Sequence, residues 1–367
     1  FDKFLMQMRP YFGEEERRAI FEYNLEDGFL TEFKETERFE NQLARLLKVS
    51  STVAVNNGTI ALSIAALSVG VRPGDEVIVP NFTMIASANA MKFIGASPVF
   101  ADIELNSWCL DRDSLFDKIT DKTKAVILVA ANGRAPSYCI DELTVELNQR
   151  NIYVIEDAAQ SLGSFYRDGS SIGTKGNVAT LSFSAPKIIS TGQGGLVFSN
   201  NNEILEKAKK IKDFGRDGGG NDFHPHFGIN SKFTDLQALV GIQQLSKLES
   251  RKSRRKAQTK LYEKFLSDVS DVTMPEWDER YTTPWFTEII TPDRDHLMAF
   301  LKENNVGTRP VYPPLNNQPI YGEVGLFDNS HFISKHGLWL PSHMGVTDAM
   351  IEKICELIHT FMMNKIK

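Results

Sequence analysis

The chain has 367 residues, of which 42% are hydrophobic and 24% are charged, a composition typical of a globular protein rather than a disordered one. Its 41 basic and 47 acidic side chains give a formal net charge of −6, which argues against a general nucleic-acid-binding protein. Its cysteines, Cys109, Cys139 and Cys355, lack the spacing of a zinc or disulfide framework, and no apolar run is long enough to span a bilayer. We therefore expect a cytoplasmic protein with no membrane or nucleic-acid partner.

Taken in chain order, the first predicted element is an amphipathic helix in EEERRAIFEYNLEDG, which ends at Gly28. Beyond it, short apolar runs bounded by turn residues alternate with helical patterns, and each run predicts a strand. The predicted strands are STVAV, DEVIVP, SPVFADI, KAVILVA, IYVIEDA, ATLSFSA and GGLVFSNN. Strands separated by helices indicate a mainly parallel sheet covered on both faces, and therefore an α/β fold.

The pattern changes near Phe233, where long helices replace the alternation of strands and helices. Residues 235–269 contain few helix breakers, and we expect this stretch to lead out of the first domain. We interpret the basic run ESRKSRRKAQTK within it as a solvated helix face. We predict a large domain over residues 1–245, including an N-terminal helical arm, and a smaller α+β domain over residues 246–367.

Lys187 follows the predicted strand ATLSFSA and lies among small residues in SFSAPKIISTGQGG. A lysine after a strand can occupy a partly desolvated pocket, where burial lowers the pKa of the amine and makes it a nucleophile toward an aldehyde. A lysine taken alone is more often an exposed loop residue. The interpretation of Lys187 therefore depends on the neighbouring motifs.

Asp157 and Gln160 follow the apolar strand in VIEDAAQS. In a parallel α/β sheet, ligands bind at the carboxyl ends of the strands, and a buried carboxylate there needs a cationic partner. A protonated pyridine nitrogen would be such a partner. A helix-capping aspartate explains the same pattern equally well.

The segment VNNGTIAL predicts a strand, a tight turn at Asn57-Gly58 and a helix that begins at Thr59. The N–H groups and the dipole at such a helix start attract anions, although an ordinary helix cap has the same pattern. Ser182, five residues before Lys187, offers a hydroxyl for the same anion. An anion site, a carboxylate and a lysine together predict a pyridoxal phosphate site. The phosphate of that cofactor needs hydrogen-bond donors, its ring nitrogen needs a carboxylic acid as a partner, and its aldehyde needs an amine.

Seven segments of the chain, in order, resemble the DegT/DnrJ/EryC1/StrS family of sugar aminotransferases. They are FLTEFKETERFE, VNNGTIALSIAALSVGVRPGDEVIVP, ANAMKFIGASPVFADIE, VIEDAAQSLGS, GNVATLSFSAPKIISTGQGGLVFSN, FGINSKFTDLQALVGIQQL and GTRPVYPP. The resemblance covers nearly the whole chain and implies a fold-type-I aminotransferase that depends on pyridoxal 5'-phosphate (PLP). The segment NVGTRPVYPPLNNQPIYGE is most similar to the branch of the GDP-perosamine synthases, which aminate C4 of a GDP-linked 4-keto-6-deoxy sugar.

The resemblance also implies roles for individual residues. Lys187 would bond to the cofactor's aldehyde carbon and then move the proton between substrate and cofactor. Asp157 would pair with the ring nitrogen, and Gln160 would contact the edge of the ring that carries the phenolic oxygen. The implied ligands of the cofactor's phosphate are Gly58, Thr59 and Ser182. Asn230 would reach the same phosphate from the neighbouring subunit, which implies an obligate homodimer. Arg309 would bind the nucleotide or its phosphates, and Tyr312 would also contact the substrate.

The sequence departs from the family pattern at three places. Met84 stands where an aromatic ring often stacks on the pyridine ring, although a thioether can also pack there. A histidine common after the fourth strand is replaced around Ala130 to Asn132. Gln193 stands where a glutamate is usual in the glycine-rich segment after Lys187. The glycines themselves are kept, so we expect a close backbone approach or an unusual turn there.

His224 and His226 lie two residues apart in FHPHFG, a spacing that is compatible with metal ligands. No further histidine, cysteine or carboxylate pair lies close by in the sequence, so we predict no metal and interpret the segment as a loop near the active site. His226 is then a candidate contact for the substrate, because the segment continues into Asn230.

Three functions remain to be compared. The first is an aminotransferase that carries the amino group of L-glutamate to a keto-sugar nucleotide, with GDP-, UDP- and dTDP-linked sugars and amination at C3 or C4 all open. The second is a PLP-dependent sugar dehydratase, in which the resemblance implies a histidine in place of the lysine, so Lys187 argues against it. The third is a non-enzymatic regulator, which an intact Lys187, Asp157 and phosphate turn argue against.

Overall fold

The computed structural model of the chain describes residues 1, 3–24, 26, 28–218, 222–322 and 325–365. Its first sheet contains β1 (Ser51–Val55), β2 (Glu76–Pro80), β3 (Ser97–Ala101), β4 (Thr123–Val129), β5 (Tyr153–Asp157), β6 (Val178–Ser182) and β7 (Gly195–Ser199). The strand order is β1-β7-β6-β5-β4-β2-β3. All pairings from β6 to β3 are parallel, whereas β7 is antiparallel to both of its neighbours. The predicted mainly parallel sheet is confirmed.

Both faces of this sheet are buried, which explains why its strands are almost continuously apolar. Alternate residues point to opposite faces, so that Ala54 and Ile78 belong to one hydrophobic cluster and Val53 and Val77 to another. The helices of this part are α1 (Glu14–Phe21), α2 (Lys34–Leu47), α3 (Gly58–Ser68), α4 (Ala86–Phe93), α5 (Arg112–Asp117), α6 (Ile140–Gln149), α7 (Asn202–Lys212) and α8 (Asp235–Ser246).

The predicted end of the first helix is wrong, since α1 ends at Phe21 and not at Gly28. The hydroxyl of Tyr23 donates to the carbonyl of Phe29 at 2.7 Å and accepts from the N–H of Phe29 at 2.8 Å. These two bonds bring Tyr23 and Phe29 into direct contact, which the geometry of a continuing helix would prevent.

Helix α2 is capped by a residue that lies far away in sequence. No side chain of its own N-cap residue bonds to its first turn. The buried carboxylate of Asp235, at the start of α8, accepts from the N–H groups of Phe33 at 2.8 Å, Glu35 at 3.2 Å and Thr36 at 2.9 Å. These donors would otherwise lack a partner within the helix, so Asp235 joins α2 to α8.

The predicted change to long helices near Phe233 is confirmed. The chain forms α8 and then α9 (Leu248–Leu266), with a break at Lys247, whose amine binds the buried carboxylate of Glu16 at 2.7 Å. The interpretation of the basic run as a solvated face is wrong in part, since Arg251 and Arg255 are 5% and 6% exposed. Both residues lie one turn apart on the inner face of α9 and donate to backbone carbonyls of other segments.

After α9 the chain builds a second, antiparallel sheet in the order β8-β10-β9, formed by β8 (Thr287–Ile290), β9 (Arg309–Pro310) and β10 (Gly337–Leu340). Three helices accompany it: α10 (Arg294–Glu303), α11 (Asp328–His336) and α12 (Asp348–Lys365). A separate hydrophobic cluster joins these helices to α9 and the second sheet. A domain boundary between residues 245 and 246 stays a prediction. None of the helices in the described part of the chain is long and apolar enough to cross a membrane.

Candidate active site

The predicted site residues lie at one edge of the seven-stranded sheet. Gly195, the first residue of β7, pairs with Val55 at the end of β1 and with Ser182 at the end of β6. Asp157 ends the neighbouring strand β5. The carboxyl ends of β1, β5 and β6 therefore meet at the edge where α/β sheets bind their ligands.

Helix α3 begins at this edge, one residue earlier than the sequence predicts. Asn57 is its N-cap and accepts from the N–H of Ile60 at 2.9 Å. Gly58 lies so close to Ser182 that an added Cβ would be 2.9 Å from the serine Cβ. The Ser182 hydroxyl is 3.2 Å from that of Ser184. Two hydroxyls beside the first N–H groups of a helix form a site that suits a phosphate.

The glycine-rich segment after Lys187 meets the expectation of a close backbone approach. An added Cβ at Gly195 would be 2.4 Å from the carbonyl oxygen of Asn57, and Gly192 has a φ of +80°. The carbonyl of Gln193 accepts from the hydroxyl of Thr191 at 2.7 Å and from the amide of Gln237 at 2.6 Å. The side chain of Gln193 is exposed.

Asp157 is a buried carboxylate held by two neutral donors. The Ser87 hydroxyl donates to it at 2.8 Å, and the N–H of Ala159 donates at 3.1 Å. Burial raises the pKa of Asp157, while these two bonds and the charge of Lys187 oppose the increase. A buried carboxylate with this surrounding suits a cationic ligand group.

Lys187 is half-buried, and its amine lies on an aromatic ring. Its Nζ is 4.2 Å from the centroid of the Trp285 ring, which comes from the segment just before β8. Burial lowers the pKa of Lys187 to about 8, and the charge of Asp157 acts in the opposite direction. The amine therefore has an appreciable neutral, nucleophilic fraction near neutral pH.

Gln160 contributes to the same cleft as Lys187. Gln160, Ser182, Lys187 and Trp285 line the same small cleft. The side-chain oxygen of Gln160 accepts from the N–H of Asn132 at 2.8 Å. The structure thus brings together four of the residues that the sequence singled out: Asp157, Gln160, Ser182 and Lys187.

Tyr312 and Arg309 lie together at the neighbouring aromatic cluster. Tyr312 is buried, with its ring centroid 4.8 Å from that of Trp339, and Arg309 is exposed with its guanidinium 5.3 Å from the same tryptophan ring. Burial raises the pKa of the Tyr312 hydroxyl, Arg309 lowers it and Asp157 raises it. Arg309 and Asp157 are therefore both close enough to Tyr312 to influence the pKa of its hydroxyl.

Residues 11–359 match the model of the DegT/DnrJ/EryC1/StrS aminotransferase family. The chain belongs to this family. It is a PLP-dependent aminotransferase, which confirms the fold class, the enzyme class and the cofactor predicted from the sequence.

Individual relatives of this aminotransferase agree with that assignment. The chain is 34% identical to a GDP-perosamine synthase of Vibrio cholerae, over 89% of this chain and 91% of that protein. A crystal structure of a DegT/DnrJ/EryC1/StrS aminotransferase from Brucella abortus is 29% identical, covers 95% of both chains and has a TM-score of 0.86. The structure of DesV from S. venezuelae, in complex with a ketimine intermediate, is 28% identical, covers 95% of this chain and 94% of that chain, and has a TM-score of 0.88.

The hydrogen-bond donors and acceptors of the cleft in this aminotransferase match the chemical groups of PLP. Gly58 lacks the Cβ that would crowd Ser182, and the helix start supplies N–H donors for a phosphate. Asp157 is a buried acceptor suited to a protonated ring nitrogen, and Lys187 is an amine suited to an aldehyde. Thr59 lies half-buried in the first turn of the same helix.

Three other predicted residues lie at the surface of the single chain. Met84 is 44% exposed in the segment between β2 and α4. Asn230 is exposed and pairs with Asp213 in an isolated bridge. His226 is exposed, with its Nε2 3.0 Å from the carboxylate of Asp217. No metal-type cluster of three or more histidine, cysteine or acidic residues occurs in the part of the chain that the structure describes.

Sequence reasoning missed three neighbours of the site: Ser87, Asn132 and Trp285. Ser87 lies between two predicted strands and gave no signal of its own. Asn132 lies in the segment noted for lacking a histidine, so its position, but not its contacts, was accessible from the sequence. Trp285 is 98 residues from Lys187, and only the tertiary structure brings the two together.

Proposed function

We propose that this aminotransferase transfers the amino group of L-glutamate to C4 of a GDP-linked 4-keto-6-deoxy sugar, as a GDP-perosamine synthase does. The observation that carries the proposal is the cleft in which the Lys187 amine lies close enough to the buried Asp157 for the two charges to influence each other. The similarity to GDP-perosamine synthases supports the choice of sugar nucleotide. Through that product, we assign the enzyme to lipopolysaccharide O-antigen biosynthesis.

Bound PLP supplies an electron sink that stabilises negative charge on the carbon bearing the amino group. In this proposal, Lys187 would hold the cofactor through its Nζ. When free, the same amine would act first as a base and then as an acid, taking the proton from the substrate carbon and delivering it to the cofactor. Asp157 would keep the ring nitrogen protonated, with the Ser87 hydroxyl stabilising the charged carboxylate, and Gln160 would contact the phenolic edge of the ring.

The remaining residues would bind phosphate and substrate. We assign the cofactor phosphate to Gly58, Thr59 and Ser182, and a packing contact on the ring to Met84. The exposed guanidinium of Arg309 suits the diphosphate of a nucleotide sugar, because its donors match phosphate oxygens in pairs. Tyr312 lies beside it, and we assign a substrate contact to Tyr312 and His226.

We further propose a homodimer in which Asn230 contacts the phosphate of the neighbouring subunit's cofactor. Two features of the single chain support this arrangement: Asn230 is exposed, and exposed aromatic residues lie near it in sequence, with Phe223 and Phe227 each 71% exposed. Co-expression of Lys187→Ala and Asn230→Ala chains tests it. Shared sites would restore about a quarter of the wild-type activity from two inactive variants, whereas unshared sites would restore none.

We propose a reducing, cytoplasmic location for the enzyme. The observation that supports it is that Cys109, Cys139 and Cys355 are all free thiols in the structure.

The absorbance spectrum of the purified protein tests the proposed chemistry. With PLP, wild-type protein should gain a band at the edge of the visible region that disappears on addition of L-glutamate, and Lys187→Ala should lack both the band and turnover. A protein that takes up no cofactor would contradict the proposal. Assays with GDP-, UDP- and dTDP-linked keto-sugars then test the substrate, and a clear preference for a UDP or dTDP sugar would contradict the GDP assignment.

A sugar dehydratase is the less favoured activity of this fold. The family resemblance places a histidine at the lysine position of that branch, and this chain has Lys187. Analysis of the product separates the two, since only an aminotransferase transfers nitrogen from labelled glutamate to the sugar.

A further inference from the structure

Trp285 contacts the Lys187 region through two different groups. The face of its ring lies under the lysine amine, with the Nζ 4.2 Å from the ring centroid. Its indole N–H donates to the carbonyl of Pro186 at 2.8 Å, directly before Lys187 in the chain. One side chain thus contacts both the backbone next to the lysine and the lysine amine.

Trp285 is itself held rigidly. It is 5% exposed and stacks on Phe286, with the ring centroids 4.0 Å apart and the planes inclined by 27°. The side chain of Asn132 binds the backbone of Phe286 on both sides, accepting from its N–H at 2.6 Å and donating to its carbonyl at 2.8 Å. The ring centroid of Trp339 lies 5.8 Å from that of Trp285, with the two planes inclined by 70°. A ring packed in this way offers a fixed surface to the amine.

We propose that Trp285 is a positioning residue, whose indole face holds the Lys187 amine in place whenever the amine is not bonded to the cofactor. The inference rests on the proposed role of Lys187 and assigns a second residue to its proton transfer. The π-electrons of an indole attract an ammonium group more strongly than a neutral amine. The ring therefore favours the protonated amine, keeps it from turning away from the cleft and offsets part of the effect of burial.

The inference predicts a change in the pKa of Lys187 that can be measured without any cofactor. The rate at which acetic anhydride acetylates Lys187 depends on the neutral fraction of its amine, and peptide mass spectrometry reads this rate as a function of pH. In Trp285→Leu the midpoint of the profile should fall by about 0.4 to 1.5 pH units. In Trp285→Phe, which keeps a weaker ring, it should fall by less.

Trp277 provides the matched control. It is a partly buried tryptophan whose indole N–H donates to Glu263. Trp277→Leu and Trp277→Phe should leave the Lys187 profile at its wild-type midpoint. If Trp285→Leu does not fold, Trp285→Phe decides the question, because a phenyl ring fits within the same space.

A second readout follows the first half of the reaction. Bleaching of the PLP band by L-glutamate should slow at least tenfold in Trp285→Leu, with a smaller change in the dissociation constant for PLP. An unchanged acetylation midpoint in both Trp285 variants would overturn the inference, as would an equal shift in the Trp277 controls. If the wild-type protein binds no PLP, the proposed function fails, while the acetylation profile still decides whether Trp285 holds the amine.

Discussion

The hydroxyl of Ser87 donates to the carboxylate of Asp157 across 2.8 Å and so joins helix α4 to the end of strand β5. Both residues are buried, and the same hydroxyl lies 3.3 Å from that of Thr83. The bond favours the charged form of Asp157 against the effect of burial, which raises its pKa. Ser87 is therefore a positioning residue for the carboxylate on which cofactor binding depends.

Ser87→Ala should weaken the binding of PLP about tenfold, because a hydrogen bond to a buried charged group is lost. Fluorescence titration of cofactor-free protein measures the dissociation constant. Ser68→Ala is the matched control, since the buried Ser68 hydroxyl bonds to a carbonyl of its own helix. Wild-type affinity in Ser87→Ala would contradict this role for Ser87.

Lys187→Met should stabilise the cofactor-free protein at pH 7. The folded protein lowers the pKa of Lys187 to about 8 from a normal value of 10.5, so burial of the charged amine costs on the order of 1 to 3 kcal/mol. Between those two pH values, the folded state has lost the proton that the unfolded state keeps. The free energy of unfolding of the wild type should therefore rise with pH, and the advantage of the variant should shrink.

Urea denaturation at pH 7 and near pH 10 measures this difference. Lys207→Met is the control, because the Lys207 side chain is 52% exposed and pairs with Glu203 on the surface of its helix. A Lys187→Met protein that is less stable than the wild type at pH 7 would show that the amine gains more from its contacts than it loses by burial.

Asn132→Gly should lower the free energy of unfolding by about 1 to 3 kcal/mol, because two buried hydrogen bonds to Phe286 are removed. Asn132 has a φ of +51°, a conformation that glycine adopts without strain, so the variant isolates the side chain. Asn151→Gly should have no such cost, since Asn151 is exposed with a φ of +59°. Equal effects of the two substitutions would exclude the Phe286 contact as the cause.

Gln193→Glu should keep nearly the full activity and stability of the wild type. The side chain is exposed, and it is the carbonyl of residue 193 that accepts the two hydrogen bonds. Gly194→Ala is the informative contrast, because its Cβ would lie 2.6 Å from the hydroxyl of Thr191 and should distort the segment. Steady-state kinetics measure both effects, and an inactive but folded Gln193→Glu protein would show that the neutral amide takes part in the site.

The parts of the site that the sequence predicts are those encoded within one strand and the turn after it. Asp157, Ser182 and the turn at Gly58 each lie at the end of an apolar strand, so the edge of the sheet at which they meet could be inferred from topology alone. Trp285 and Arg251 could not be found in this way. Their contacts with Lys187 and with the carbonyl of Ile188 come from the C-terminal part of the chain and depend on how α9 and β8 pack against the first sheet.

The cap that Asp235 places on α2 has a consequence for synthesis on the ribosome. Phe39 of the same helix packs against Phe183 and Phe233, and β1 pairs with β7. Each of these partners is translated more than a hundred residues after the element that needs it. The N-terminal part of the nascent chain therefore leaves the ribosome before its packing partners have been made. Its apolar surface stays uncovered until Asp235 has left the exit tunnel. We expect the growing polypeptide to depend on chaperones during that interval.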